Sequence, residues 1–146
     1  MSCTYRLAKQ RDGEACARII QDWATETPWL GPVNSFEQLV EFWAGCLHNV
    51  ETSWVAEVDG KVVGFCVRED DNLSGLYVAR GFRDLGIGKQ LLDLAKEDRD
   101  WITVWAYDEN PRAREFYRRE GCVEISREVE EDTRLIDVEH RWTRSK

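Results

Sequence analysis

Histidine is almost missing from this chain. His48 and His140 are the two present among 146 residues, and neither lies in a motif pairing it with a serine or cysteine nucleophile. A hydrolase triad is therefore hard to assemble, since either histidine would have to serve as base with no local pattern behind it. The five cysteines, Cys3, Cys16, Cys46, Cys66 and Cys122, are odd in number, scattered and never spaced C-x-x-C. That excludes a zinc site of ordinary spacing and reads as reduced thiols used as small core residues; no metal is expected. No apolar run approaches membrane-spanning length, and the opening MSCTYRLAKQRDGEACARII has no charged-then-apolar leader. A cytoplasmic protein that does not enter a membrane is expected. Positive charge is in deficit, with 20 Lys and Arg against 28 Asp and Glu for a net −8. Nonspecific nucleic-acid binding needs the opposite balance, whereas an acidic surface suits a cationic partner and, for the most part, plain solubility.

No repeat, low-complexity tract or Gly-, Ser- or Pro-rich linker divides the sequence, so one domain over residues 1–146 is expected. With 42% hydrophobic and 33% charged residues, it has the material for a real core. A short strand is expected around Tyr5–Ala8. A helix follows with Ala15, Cys16, Ile19, Ile20 and Trp23 on one face. TETPWLGPVN, with Pro28, Gly31 and Pro32, reads as loop. SFEQLVEFWAGCL opens on a Ser35/Gln38 capping box and buries Phe36, Leu39, Val40, Trp43 and Cys46. SWVAEV-DG-KVVGFCV is a hairpin turning on Asp59-Gly60, a pair that tolerates positive φ. A third strand over Leu73–Val78 leads through a loop into a helix, roughly Gly86–Asp98, with Ile87, Leu91, Leu94 and Ala95 inward. WITVWAY, Trp101–Tyr107, is a strand parallel to the third, since the connection is long enough for a right-handed crossover. In ENPRAREFYRREG, Asn110 caps, Pro111 takes the first helical position, Ala113, Phe116 and Tyr117 share a face, and Gly121 ends the helix. CVEISREV and LIDVEHRW close the chain as an antiparallel pair. The class is α/β (α+β): a mixed, mostly antiparallel sheet with one embedded βαβ unit.

The informative stretch is LYVARGFRDLGIGKQLL, Leu76–Leu92. As a Walker A loop it fails, because Arg83 occupies the first glycine's place and Gln90 that of Ser or Thr. As a Rossmann fingerprint it fails at Leu91. A purely architectural turn, with Gly86 and Gly88 permitting close packing, competes with an anion cradle. In the second reading, main-chain N–H groups from Arg83 to Lys89 converge at a helix N-terminus. The bases Arg80, Arg83 and Lys89 here, with Arg112, Arg114, Arg118 and Arg119 in the later helix, suit a phosphorylated ligand across the parallel pair.

LYVARGFRDLGIGKQLLDLA resembles the Q/R-x-x-G-x-G/A acetyl-CoA loop of the GCN5-related N-acetyltransferase (GNAT) superfamily. NPRAREFYRREGC resembles that superfamily's N-x-x-A-x-x-[FL]-Y-x-x-x-G-F segment, in the right order and with a strand between. The resemblance implies a GNAT-like fold of about six or seven strands and four helices, and transfer of an acetyl group from acetyl-CoA to a primary amine in a ternary complex. It implies that the amides of Arg83, Asp84, Leu85, Gly86, Ile87, Gly88 and Lys89 hold the diphosphate of coenzyme A. Leu76, Tyr77 and Val78 would pair with the pantetheine arm, and Asn110 would touch it or order the opening. Arg114 belongs with the cofactor-binding set, and Tyr117 lies near the sulfur. A homodimer is compatible with this picture. Ala79-Arg80, Asp84-Leu85 and Cys122 depart from the usual pattern, lacking a proline, a glycine and an aromatic respectively.

An alkylammonium of pKa about 10.4 is on the order of one part in a thousand neutral at pH 7, so a base or a water chain must take its proton. Carboxylates near the expected mouth are Glu69, Asp70, Asp108 and Glu26, and an amine that arrives deprotonated needs none. The leaving thiolate needs a proton, which Tyr117 is chosen to supply, although its apolar helix face also suits a core residue. The N–H of Val78 or a neighbour is the oxyanion donor. Trp23, Trp29 and Trp54 with Glu26 are candidates for an aromatic, anionic acceptor pocket. A non-catalytic acyl-CoA-sensing module and a purely structural domain are the alternatives.

Overall fold

The computed structural model describes residues 2–30, 35–46 and 52–145. The expected loop TETPWLGPVN lies partly outside them, as do His48 and the side chain of Cys46. The chain forms β1 (Cys3–Leu7), α1 (Gly13–Thr25), α2 (Phe36–Cys46), β2 (Ser53–Val58), β3 (Lys61–Glu69), β4 (Asn72–Val78), α3 (Ile87–Lys96), β5 (Trp101–Tyr107), α4 (Pro111–Arg119), β6 (Val123–Val129) and β7 (Ile136–Thr143). The strands make one sheet in the order β1-β2-β3-β4-β5-β7-β6, antiparallel at every junction except β4–β5. This is the mixed sheet with one βαβ crossover that the sequence implies.

Local chemistry sets most boundaries. Asp59 and Gly60 both take positive φ, 52° and 76°, and close the β2–β3 hairpin. Ser35 and Gln38 exchange hydrogen bonds of 2.9 and 3.2 Å at the start of α2. Asn110 Oδ1 accepts from Ala113 N–H at 3.2 Å to cap α4, with Pro111 behind it and Gly121 beyond the end at φ 92°.

Three details differ from expectation. The first strand begins at Cys3, because pairing with β2 runs from Cys3–Val58 to Leu7–Trp54. Pro28–Leu30 coils into a 3₁₀ turn inside the expected loop. On α3, Leu92 is fully buried and Leu94 is not, because the helix packs against β2, β3 and β4 together and so needs a broader apolar face.

Two cores sandwich the sheet. Leu91, Leu92, Ile102, Val104 and Tyr117 belong to the core under α3 and α4, and Cys16, Ile19, Leu39, Trp43 and Phe65 to the core under α1 and α2. Cys16, Cys66 and Cys122 are buried in these cores. No helix among the described residues is long and apolar enough to cross a membrane.

Candidate active site

The site begins where β4 and β5 stop pairing. Their register covers only Asn72–Thr103 and Leu73–Val104; beyond that point the strands diverge, and the facing edges of Ser74–Val78 and Trp105–Tyr107 line a cavity of about 930 Å³. Ala79 N–H turns back to Val63 O at 2.8 Å. By strand alternation, the N–H and C=O of Val78 point the other way, into the gap.

The glycine loop closes one end. Gly86 adopts φ 85° as the residue before α3, a conformation open to glycine at little cost. The first amide to find a helical acceptor is that of Gln90, which donates to Gly86 O at 3.1 Å. Among the described residues, no carbonyl or side chain accepts from the main-chain N–H groups of Arg83 to Lys89. Those donors and the helix dipole face the cavity rim, where Asp84, Gly86, Gly88 and Lys89 are lining residues. An anion is what this arrangement accepts.

The loop's side chains do different work. Arg83 Nε donates to Val78 O at 2.9 Å and its terminal nitrogen to Glu26 Oε1 at 2.5 Å, which fastens the loop to the end of β4 and to the segment after α1. Lys89 pairs with Glu120 and Asp93 at 3.1 and 3.3 Å, and Arg112 with Asp84 at 2.9 Å. Arg119 lines the cavity without a carboxylate partner among the described residues. Leu85 is exposed and Ile87 buried in the core, and neither lines the cavity. Arg114 points elsewhere: it bonds Asp108 and Glu124 at 2.7 and 3.2 Å and lines a separate groove behind α4.

Leu76, Tyr77, Val78, Asn110 and Tyr117 all line the cavity. Tyr117 is 5% exposed, and burial, with smaller contributions from Tyr77, Cys66 and Cys122, holds its phenol well above the usual range. It therefore stays protonated and can donate.

The opposite wall is aromatic. Tyr77 meets Trp23 at 5.4 Å, Trp23 meets Trp29 at 6.3 Å, and Trp29 meets Tyr107 at 5.8 Å, all edge to face. Trp54 is not in this wall; it lies on the other sheet face with Arg68 over its ring at 5.6 Å. Of the carboxylates considered as bases, Glu69 and Asp70 sit at the paired end of β4, away from the opening. Asp108 is bound to Arg114 and Arg127, and Glu26 lines the cavity but is paired with Arg83. A carboxylate that no sequence motif marked is also here: Asp137 of β7, beside Tyr107 across the β5–β7 pairing.

Residues 49–123 match the family model of the acetyltransferase (GNAT) domain. The chain belongs to the GNAT acetyltransferases. Among curated proteins, this GNAT enzyme is similar to the peptidyl-lysine N-acetyltransferase YiaC of Escherichia coli (strain K12). The two are 26% identical over 125 residues, covering 80% of this chain and 83% of that protein. Its fold is shared with PH1933 from Pyrococcus horikoshii OT3, at TM-score 0.80 and 18% identity over 99% of this chain and 100% of the other. It is also shared with yncA from Salmonella typhimurium, solved with its cofactor acetyl-CoA, at TM-score 0.75 and 14% identity over 100% and 96%. The protein is thus an acyl-CoA-dependent acetyltransferase with acetyl-CoA as co-substrate.

Proposed function

We propose that this GNAT enzyme moves the acetyl group of acetyl-CoA directly to a primary amine that is cationic in solution, with both substrates in the cavity at once. The observation that carries this reading is the run of unpaired amides from Arg83 to Lys89 at the mouth of the β4–β5 opening. The diphosphate sits on those amides, with Lys89 and Arg119 near its charge. The pantetheine arm replaces the missing neighbour strand along Leu76–Val78, with Asn110 at its flank. The thioester carbonyl then lies by the Val78 N–H, which stabilises the developing oxyanion.

Tyr117 serves the sulfur. A phenol near ~10 giving a proton to a thiolate near ~8.5 is uphill by roughly 2 kcal/mol, and burial of Tyr117 adds to that. Tyr117 therefore acts first as a hydrogen-bond donor to the departing sulfur. The transfer completes as the proton leaving the new amide nitrogen replaces the one given up. The acceptor enters from the aromatic side, past Trp23, Trp29 and Tyr107, whose faces favour a cation. The net acidity of the chain favours the same class, and YiaC's name, with lysine side chains in it, puts a lysyl amine first among those to try.

Calorimetry with acetyl-CoA, followed by coenzyme A thiol release, tests the reading. Three amines serve as the panel: a lysyl peptide with a blocked α-amine, a peptide with a free α-amine, and spermidine. Binding with acceptor-dependent release from at least one supports it, and binding without release from any leaves a sensing module in its place.

A further inference from the structure

The two sheet faces meet in one cavity, and they carry different chemistry. In β5, Ile102, Val104 and Ala106 belong to the core that holds Tyr117, so Thr103, Trp105 and Tyr107 face the other way. In β7, Val138 and His140 are buried, and His140 lies 5.9 Å from the Tyr117 ring. Asp137 therefore shares the face of Tyr107, with which it is in register. Tyr117 and Asp137 thus line the same cavity from opposite sides of the sheet.

The other carboxylates of the cavity are occupied or outside. Glu26 pairs with Arg83, Asp84 with Arg112 and Glu120 with Lys89, while Glu109 is exposed. Asp137 is half-buried and has no cationic partner among the described residues. Its surroundings are the Tyr107 and Tyr77 hydroxyls, Glu128 and Glu130 on the β6 side, and the Val138 N–H. Tyr107 donates to Glu130 Oε2 at 2.8 Å, which fixes Glu130 beside it.

We propose that Asp137 is the acceptor-side catalytic residue, the carboxylate that receives the ammonium of the incoming amine and takes its proton. The inference rests on the acetyltransferase reading above. The acceptor R–NH₃⁺ gives one proton to the Asp137 carboxylate, and the freed lone pair attacks the thioester carbon. The C–S bond breaks as the C–N bond is kept. The sulfur takes the Tyr117 proton, the amide nitrogen's surplus proton restores Tyr117, and Asp137 releases its proton to water. Burial, then the charge of Glu130, lifts the Asp137 carboxyl to about 6, close to the working range of a base at neutral pH.

The test is thiol release at saturating acetyl-CoA from about pH 5 to about pH 9, over the same three amines, for wild type, Asp137→Asn and Asp137→Glu. Loss of about 10²-fold in kcat for Asp137→Asn is expected, with part regained in Asp137→Glu and the acetyl-CoA thermal shift unchanged in both. The wild-type kcat/KM should fall on the acid side with a midpoint near 6, a limb that Asp137→Asn lacks. An active wild type with no such limb overturns the inference even if Asp137→Asn does not fold. So does an Asp137→Asn variant with wild-type rate and profile, and either result leaves the acetyltransferase reading standing. A wild type that releases no thiol with any of the three overturns both.

Discussion

Asp137 should cost the resting protein stability, and the cost should depend on pH in a way that identifies it. In the folded chain its carboxyl is raised from 3.8 to about 6, by burial first and by Glu130 next. The folded state therefore binds the proton more tightly than the unfolded chain. There is no cost below about pH 4, where both states hold the proton; the cost develops as pH rises through about 6, where the folded carboxyl must ionise. A shift of about two units at ~1.36 kcal/mol each corresponds to roughly 3 kcal/mol, and partial exposure to water brings the expected value to about 1–3 kcal/mol. Asparagine keeps the shape and the acceptor for the Val138 N–H but carries no charge. Urea unfolding of wild type and Asp137→Asn across about pH 4 to about pH 8 measures the difference directly, and titrations common to both cancel. Asp137→Asn should match wild type near pH 4 and exceed it by about 1–3 kcal/mol at pH 8. A difference that does not change with pH would refute the assigned environment of this carboxylate.

Tyr117→Phe should lower kcat by about 10²-fold while leaving acetyl-CoA affinity and the folding midpoint nearly unchanged, read by thiol release beside calorimetry. Gly88→Ala separates fold from function: its Cβ would lie 3.5 Å from Phe116 and 3.8 Å from Val78, so the helix accepts it with up to ~1 kcal/mol gained. In the proposed binding mode the methyl group crowds the diphosphate, and calorimetry should find acetyl-CoA bound about tenfold more weakly (about 1.4 kcal/mol). Arg83→Ala removes the bonds to Val78 O and Glu26, with an expected loss of about 1.5–3 kcal/mol on urea unfolding and weaker acetyl-CoA binding. Trp29→Ala should raise the acceptor KM without moving acetyl-CoA affinity, measured by varying each substrate in turn.

Features set by neighbours in sequence were legible before the fold was known. Asp59-Gly60, the Ser35/Gln38 box and the Asn110-Pro111 cap each act within a few residues, and the alternation of Trp101–Tyr107 marks its strand to the residue. The glycine loop on which the proposed donor site rests was legible for the same reason, since Arg83 to Lys89 is one continuous turn. The surroundings of the proposed acceptor side were not. Arg83 reaches Glu26 across 57 positions, which removes Glu26 as a free base, and no local pattern encodes that pairing. Trp54 lies on the face opposite Trp23 because of the β2 register, and the tryptophans' positions in sequence do not fix a shared face. Asp137 acquires its setting from strand order alone, because β7 inserts between β5 and β6 and so brings it beside Tyr107. The alternation of LIDVEHRW could have placed Asp137 opposite Val138 and His140, but not beside β5.

The unpaired amides at the β4–β5 opening are proposed to serve acetyl transfer to an amine. Thiol release by the wild-type protein with acetyl-CoA and the lysyl peptide, free-amine peptide and spermidine panel tests it most directly, with the acetylated product weighed by mass spectrometry. The expected result is release that requires an acceptor, matched by an acetyl group on the amine. Acetyl-CoA binding with no acceptor-dependent release from any of the three would contradict it.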